Sequence, residues 1–194
     1  MRIVHCMRYV RLEQGGVVRA ALDMCGALAN AGHDVRLLCI DDTDVPDEWK
    51  RGAPGLPSVH RVPRPLLPAT TYLPWQLPGL FEHIKDADVV HLHSAWQVSN
   101  IQIGRYCRAR ALPYVVSIHG MLDDWCMSQR GPKKRLFMSL GQRRLLERAA
   151  FVHCTAQAES DQSRRWYPGG RSRVIPLVFD LSPFRQMPGP ALAQ

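Results

Sequence analysis

The sequence lacks any long uninterrupted apolar stretch. Its 194 residues contain no run close to the roughly 18 consecutive apolar residues that a transmembrane helix needs. The chain passes directly from Arg2 into a short strand-like run that Arg8 and Arg11 interrupt, so we expect no signal peptide. A composition of 46% hydrophobic and 22% charged residues is typical of a globular protein and excludes a disordered one.

The six cysteines lack the Cys-x-x-Cys spacing that is typical of redox and zinc sites. Four of them lie in apolar runs or helical patterns, as buried free thiols do, and Cys126 is the exception because it falls in a predicted loop. We therefore predict structural thiols in a reducing cytoplasm, with a disulfide or metal role as the less favoured alternative.

Two nucleotide-binding motifs are also missing, namely GxGxxG and GxxxxGK[ST]. Their absence argues against NAD binding and against P-loop nucleotide hydrolysis. What remains is the pair Gly15 and Gly16, between a predicted strand and a predicted helix. Glycines there let a phosphate approach unpaired N–H groups at a helix N-terminus, although a flexible turn with a helix cap explains them equally well.

Acidic residues are scarce in one part of the chain. Residues 1–100 hold 10 lysines and arginines against 11 aspartates and glutamates, whereas residues 101–173 hold 14 against 5. The predicted helix at 132–150 carries much of this positive charge beside an apolar side. Such a helix either rests on an anionic membrane or presents a solvated face. No motif of nucleic-acid recognition accompanies the charge, so we expect no nucleic-acid partner.

Apolar residues recur with the periods of alternating strands and helices. Strands are predicted at 2–7, 35–40, 58–62, 88–93, 113–119, 151–154 and 173–175. Helices are predicted at 17–31, 97–111, 132–150 and 156–167, with one or two helical turns at 78–85, and 41–57 is predicted to be loop. This alternation predicts an α/β fold, a doubly wound parallel sheet of Rossmann-like type.

Ligands bind such sheets beyond the carboxyl ends of the strands. The segments that fall there are 8–16, 91–96, 119–125 and 155–159. His119 ends a strand before Gly120, so its ring is a candidate acid, base or hydrogen-bond donor, or alternatively a loop cap. Asp123 and Asp124 are either bases or caps, and Thr155 with Glu159 is typical of a helix start.

His91 and His93 bracket Leu92, so strand alternation places both rings on one face. No third metal-ligating residue stands at a recognisable spacing from them. We therefore predict packing or hydrogen-bonding histidines and no metal.

Five segments in chain order resemble the N-terminal half of a GT-B fold retaining glycosyltransferase of the family 4-like group. They are "GGVVRAALDMCGALANAGHDVRLL", "DVVHLHSAW", "VVSIHGMLDDW", "KKRLFMSLGQRRLLERAAFVHCTAQAE" and "RVIPLVFDLSPF". The resemblance covers residues 1–184 and implies a single Rossmann-like domain at 1–176, followed by a hinge and tail at 177–194.

The resemblance implies transfer of a sugar from a nucleotide-sugar to a saccharide or lipid-linked acceptor, with no metal and no cofactor. It places Gly15 and Gly16 near the donor phosphates and makes His119 the catalytic residue beside the donor sugar. The neighbouring crevice loops add His93, Trp96, Gly120 and Asp123 as predicted substrate-binding residues.

Two departures from the family pattern bear on activity. The donor-binding half with its E-x7-E carboxylates has no counterpart here, and "IPLVFD" replaces the usual "IPNGVD" hinge. We expect the chain to be inactive alone, with the donor half on the full-length or a separate chain. The alternative is a non-catalytic module that docks on a protein partner or an anionic membrane through residues 133–148.

Overall fold

A sheet of seven parallel strands in the order β3-β2-β1-β4-β5-β6-β7 forms the centre of the protein in a computed structural model, which describes residues 1–67 and 71–179. The strands are β1 (Arg2–Cys6), β2 (Asp34–Cys39), β3 (Ser58–Arg61), β4 (Val89–His93), β5 (Tyr114–Ser117), β6 (Phe151–Cys154) and β7 (Ser172–Val174). All seven predicted strands are present, and the doubly wound α/β class is confirmed.

Helices connect the strands and cover both faces of the sheet. They are α1 (Gly16–Asn30), α2 (Asp47–Lys50), α3 (Leu77–Glu82), α4 (Val98–Ala109), α5 (Asp124–Ser128), α6 (Gly131–Phe137), α7 (Arg143–Glu147) and α8 (Gln157–Ser163). Of the hinge and tail predicted at 177–194, residues 180–194 lie outside the described residues. Among the helices of the described part, none combines the length and apolarity that crossing a bilayer requires.

Strand alternation divides the sheet into two faces with separate cores. Val4 and Cys6 of β1 belong to the larger cluster, which includes Tyr114 and Leu146. Met7, directly after β1, belongs to the smaller cluster under α1. His5 stands between Ile3 and Met7 on the α1 face, and its ring is fully buried there.

The segment 41–57 is not wholly loop, as the sequence suggested. It contains the single-turn helix α2, in which Trp49 is buried in the smaller core. The acidic residues and prolines of this segment indicated a loop. Its single buried aromatic residue gives no helical periodicity from which the turn could be predicted. The six cysteines are free, and all but Cys126 are buried, as predicted.

The long basic helix predicted at 132–150 is broken, which corrects the sequence-based expectation. A π-helical segment, Met138–Gln142, separates α6 from α7, and Gly141 within it has φ 156° and ψ −20°. A Cβ at Gly141 would lie 3.2 Å from Cγ2 of Ile101 on α4. The chain turns at Gly141 because α7 packs closely on α4 there.

Replacing Gly141 by alanine should lower the free energy of unfolding by about 1–3 kcal/mol, because both the backbone conformation and the contact with Ile101 oppose a Cβ. Gly79→Ala is the matched control, since Gly79 lies in α3 with nothing within 4 Å of a Cβ. Urea unfolding measures both. Equal stability of the two variants would contradict the account of the break.

Candidate functional site

The loops after β1, β4 and β5 adopt uncommon backbone conformations at the carboxyl edge of the sheet. Ser94, Trp96 and His119 have φ of 73°, 64° and 50°, and Gly15 and Gly120 have φ of 95° and 73°. Non-glycine residues in this region cost about 1–3 kcal/mol each and concentrate at functional sites. These strained loops lie at the carboxyl edge of the sheet, where the strand order reverses between β1 and β4. This edge is therefore the candidate crevice.

His119 lies directly beyond β5 and is half-buried at this edge. Its Nε2 is 3.2 Å from Nδ1 of His93, and the two rings stack with centroids 5.5 Å apart. His93 is fully buried, and its Nε2 lies 3.0 Å from Nδ1 of His5. Three rings thus form a hydrogen-bonded chain from the crevice into the sheet.

A second chain of hydrogen bonds runs across the same face. His91 Nε2 and His153 Nδ1 each lie 2.7 Å from Oγ of Ser117, and His153 Nε2 lies 2.8 Å from the carbonyl oxygen of Ile175. We call His5, His91, His93, His119 and His153 the histidine row.

The partners in this second chain determine the tautomer of His91. The Ile175 carbonyl only accepts, so His153 donates from Nε2 and, when neutral, accepts at Nδ1 the single hydroxyl proton of Ser117. Ser117 can then only accept from His91, which must carry its proton on Nε2. Nδ1 of His91 is left with a free lone pair.

Burial keeps His5, His91, His93 and His119 neutral. Desolvation lowers the pKa of His5 to about 4 and the pKa values of His91 and His93 well below the ordinary range. Desolvation also lowers the pKa of His119 to about 4, a shift that the nearby Glu159 charge partly opposes. At neutral pH each of these four rings therefore offers one donor and one acceptor.

Protein stability should fall with acidification because of these rings. The unfolded chain takes up protons near pH 6.5, whereas folded His5 and His119 resist protonation until about pH 4. In metal-free buffer, the free energy of unfolding should drop between those pH values by about 1.4 kcal/mol per pH unit for each such histidine. Urea unfolding at a series of pH values measures this, and a flat profile would contradict it.

Glu159 fixes the loop that carries His119. Its carboxylate accepts hydrogen bonds from the backbone N–H of Gly120, from the N–H of Thr155 and, at 2.9 Å, from the Thr155 hydroxyl. The sequence suggested a helix cap for Thr155 and Glu159. Glu159 does lie in the first turn of α8 and accepts from Thr155, which confirms the helix start. Its bond to Gly120 adds a bridge between the β5 and β6 loops, across 39 residues of sequence.

The other predicted site residues have mixed environments. Oδ1 of Asp123 accepts from the N–H of Cys126 and caps α5, one of the two alternatives for this residue. Trp96 packs edge-on against Phe137 of α6, with centroids 5.9 Å apart. No atom of another part of the described chain lies within 4 Å of a Cβ built at Gly15 or Gly16, so this turn is open.

The structure thus brings His93, His119 and Gly120 together, while Trp96 turns towards α6. Contact of His93 with a ligand stays a prediction, and in the structure its buried ring reaches the crevice through His119. Sequence reasoning missed His5, which β1 pairs in register with His91. The sequence did contain a signal for His5, because in a doubly wound sheet the first strand lies next to the strand at which the order reverses. His5 of β1 therefore falls beside the histidines of β4.

The fold is that of a Rossmann-like α/β domain with a crevice at the carboxyl edge of its sheet. The sequence profile of the glycosyl transferase 4-like domain matches residues 15–177, so the chain belongs to that family. A crystal structure of Anabaena HepE (Alr3699) in complex with UDP is similar, with a TM-score of 0.64 and 17% identity over 93% of this chain. The match covers 45% of that protein, and the chain therefore corresponds to less than half of its length. No curated protein matches the sequence.

Proposed function

We propose that this chain is the acceptor-side domain of a retaining glycosyltransferase that uses a nucleotide-sugar donor and a saccharide or lipid-linked acceptor. The observation that carries the proposal is a family match over residues 15–177 in a chain that corresponds to 45% of a UDP-bound protein of the same fold. A second α/β half, on the same or a separate chain, would hold the nucleotide. Transfer itself uses no metal in this proposal.

His119 is the residue that we assign to the donor sugar. Its ring stands at the carboxyl edge, is neutral at pH 7 and engages His93 through Nε2. When His93 donates from Nδ1, the proton of His119 lies on its own Nδ1, from which it can be donated to a sugar oxygen. Glu159 holds the adjacent Gly120 and so limits movement of this ring.

Gly15 and Gly16 supply the second part of this half-site. The N–H of Gly15 donates to the Leu12 carbonyl and the N–H of Val18 to the Gly15 carbonyl. α1 begins at Gly16, so the N–H groups of Gly16 and Val17 remain without an acceptor among the described residues. The open space around both glycines admits a phosphate of the donor to these groups. Because the glycines themselves carry no charge, tight donor binding requires the second half.

The test is reconstitution with radiolabelled nucleotide-sugars. The chain alone should transfer no sugar, and the complete enzyme should be active. In the complete enzyme His119→Ala should lower kcat by about 10²- to 10⁴-fold, the usual effect of a lost catalytic proton or hydrogen-bond partner. His33→Ala is the control, because His33 precedes β2 at the opposite edge of the sheet. Robust turnover by the chain alone, or unchanged kcat without His119, would overturn the proposal.

A second candidate function is docking on an anionic membrane or an acidic protein partner. A concavity of about 640 Å³ beside α6 and α7 is lined by Arg135, Arg143, Arg144 and Arg148, with Glu147 as the one carboxylate among its lining residues. Trp166 completes the wall. Basic and aromatic side chains in such a surface suit phospholipid headgroups.

Co-sedimentation with vesicles of phosphatidylcholine and phosphatidylserine tests the membrane version. Binding should occur at low salt, weaken at high salt and weaken further in Arg143→Glu/Arg144→Glu. Arg51→Glu/Arg64→Glu makes the same change of charge at exposed positions outside the concavity and should have a smaller effect. No sedimentation of the wild-type chain at low salt would eliminate membrane docking.

A further inference from the structure

Three members of the histidine row converge inside the sheet. One nitrogen from each of His5, His91 and His93 lies within 4.8 Å of the other two. The ring centroids are 4.9 Å apart for His5 and His91, and 4.5 Å apart for His91 and His93. Two adjacent strands supply the rings, so the sheet backbone holds the cluster in place.

Two ring nitrogens in this cluster are prepared for a ligand. Nε2 of His5 is fully buried and has no hydrogen-bond partner among the described residues. With His153 neutral, the bonds through Ser117 and His153 to the backbone place the proton of His91 on Nε2, so its Nδ1 carries a free lone pair. A buried polar atom without a partner is costly, and a bound cation would remove that cost at His5.

We propose that His5, His91 and His93 form a site for a divalent transition-metal ion, with Zn²⁺ as the ion best suited to three imidazole ligands. Three histidines with one open position form a common zinc ligand set. The nitrogens of a tetrahedral zinc site lie about 3.4 Å apart, as zinc–nitrogen distances of about 2.0–2.1 Å require. The rings of His91 and His93 lie 14° from parallel and those of His5 and His93 22°, so ligation requires the rings to rotate until their lone pairs converge on one point. The same rotation must bring nitrogens that lie within 4.8 Å of one another to this distance.

A groove provides the route to this site. It has a volume of about 420 Å³, lies beside α1 and is lined by His91 and His153 together with apolar side chains such as Met24 and Leu28. No carboxylate is among its lining residues. Water or hydroxide from the groove therefore supplies the fourth ligand, and the ion remains exchangeable.

The ion would also act on His119 without touching it. Ligation through Nε2 of His93 replaces its hydrogen bond with Nδ1 of His5, while Nδ1 of His93 remains with His119. The proton of His93 must then lie on Nδ1. This arrangement selects the tautomer in which His93 donates to His119. The metal would thus fix the tautomer of His93, and through it the orientation of the hydrogen bond to His119. Metal binding itself does not depend on whether the proposed transfer reaction occurs.

Titration of the tag-free, chelator-treated chain with Co²⁺ and Zn²⁺ tests the site. Co²⁺ should produce the strong visible absorption of a tetrahedral complex at one equivalent, and Zn²⁺ should abolish it. His91→Gln should weaken binding by at least about 100-fold, since loss of an outer-shell partner alone costs 10- to 100-fold. Thermal unfolding without metal shows whether the variant folds, and His5→Gln is the second variant.

The control is His60→Gln/His83→Gln, which removes the other close histidine pair, with ring centroids 5.0 Å apart. It should bind Co²⁺ as the wild type does. The proposal is overturned if the wild-type chain shows no one-to-one tetrahedral absorption. It is equally overturned if binding survives in folded His91→Gln and His5→Gln, or disappears in the control.

Discussion

The parallel pairing of β1 with β4 is the constraint on which the rest of the structure depends. It places His5 opposite His91 across 86 residues of sequence and makes the strand order reverse at this point. The loops after the two strands therefore separate at the carboxyl edge and leave a crevice between them. Candidate ligand contacts and the buried histidines both follow from this one backbone arrangement.

The histidine row places polar rings in a sheet face that apolar side chains normally fill. Desolvation makes the charged forms of His5, His91, His93 and His119 unfavourable. Hydrogen bonds through Ser117 and the Ile175 carbonyl satisfy ring nitrogens of His91 and His153. Nε2 of His5 and Nδ1 of His91 are left without a hydrogen-bond partner among the described residues. The remaining hydrogen bonds couple the tautomer of each buried ring to that of its neighbour, as far as His119 at the crevice.

The strands and the fold class could be predicted from the sequence because apolar runs and helical periods repeat along it. Prediction failed where one contact decides the backbone. Gly141 breaks a helix that is periodic in sequence, because Ile101 of α4 occupies the space beside it. Glu159 contacts Gly120, and His5 lies opposite His91, only because parallel strands bring segments together that are distant in sequence. The residue spacing within one segment does not contain that information.

Family membership and fold place this chain among the glycosyl transferase 4-like domains, and the proposed chemistry rests on His119. A crystal structure of the complete enzyme with its nucleotide-sugar bound tests the central claim most directly. We predict a sugar oxygen within hydrogen-bonding distance of Nδ1 of His119, and a donor phosphate beside the turn of Gly15 and Gly16, at the backbone N–H of Gly16. A donor bound away from both would contradict the account.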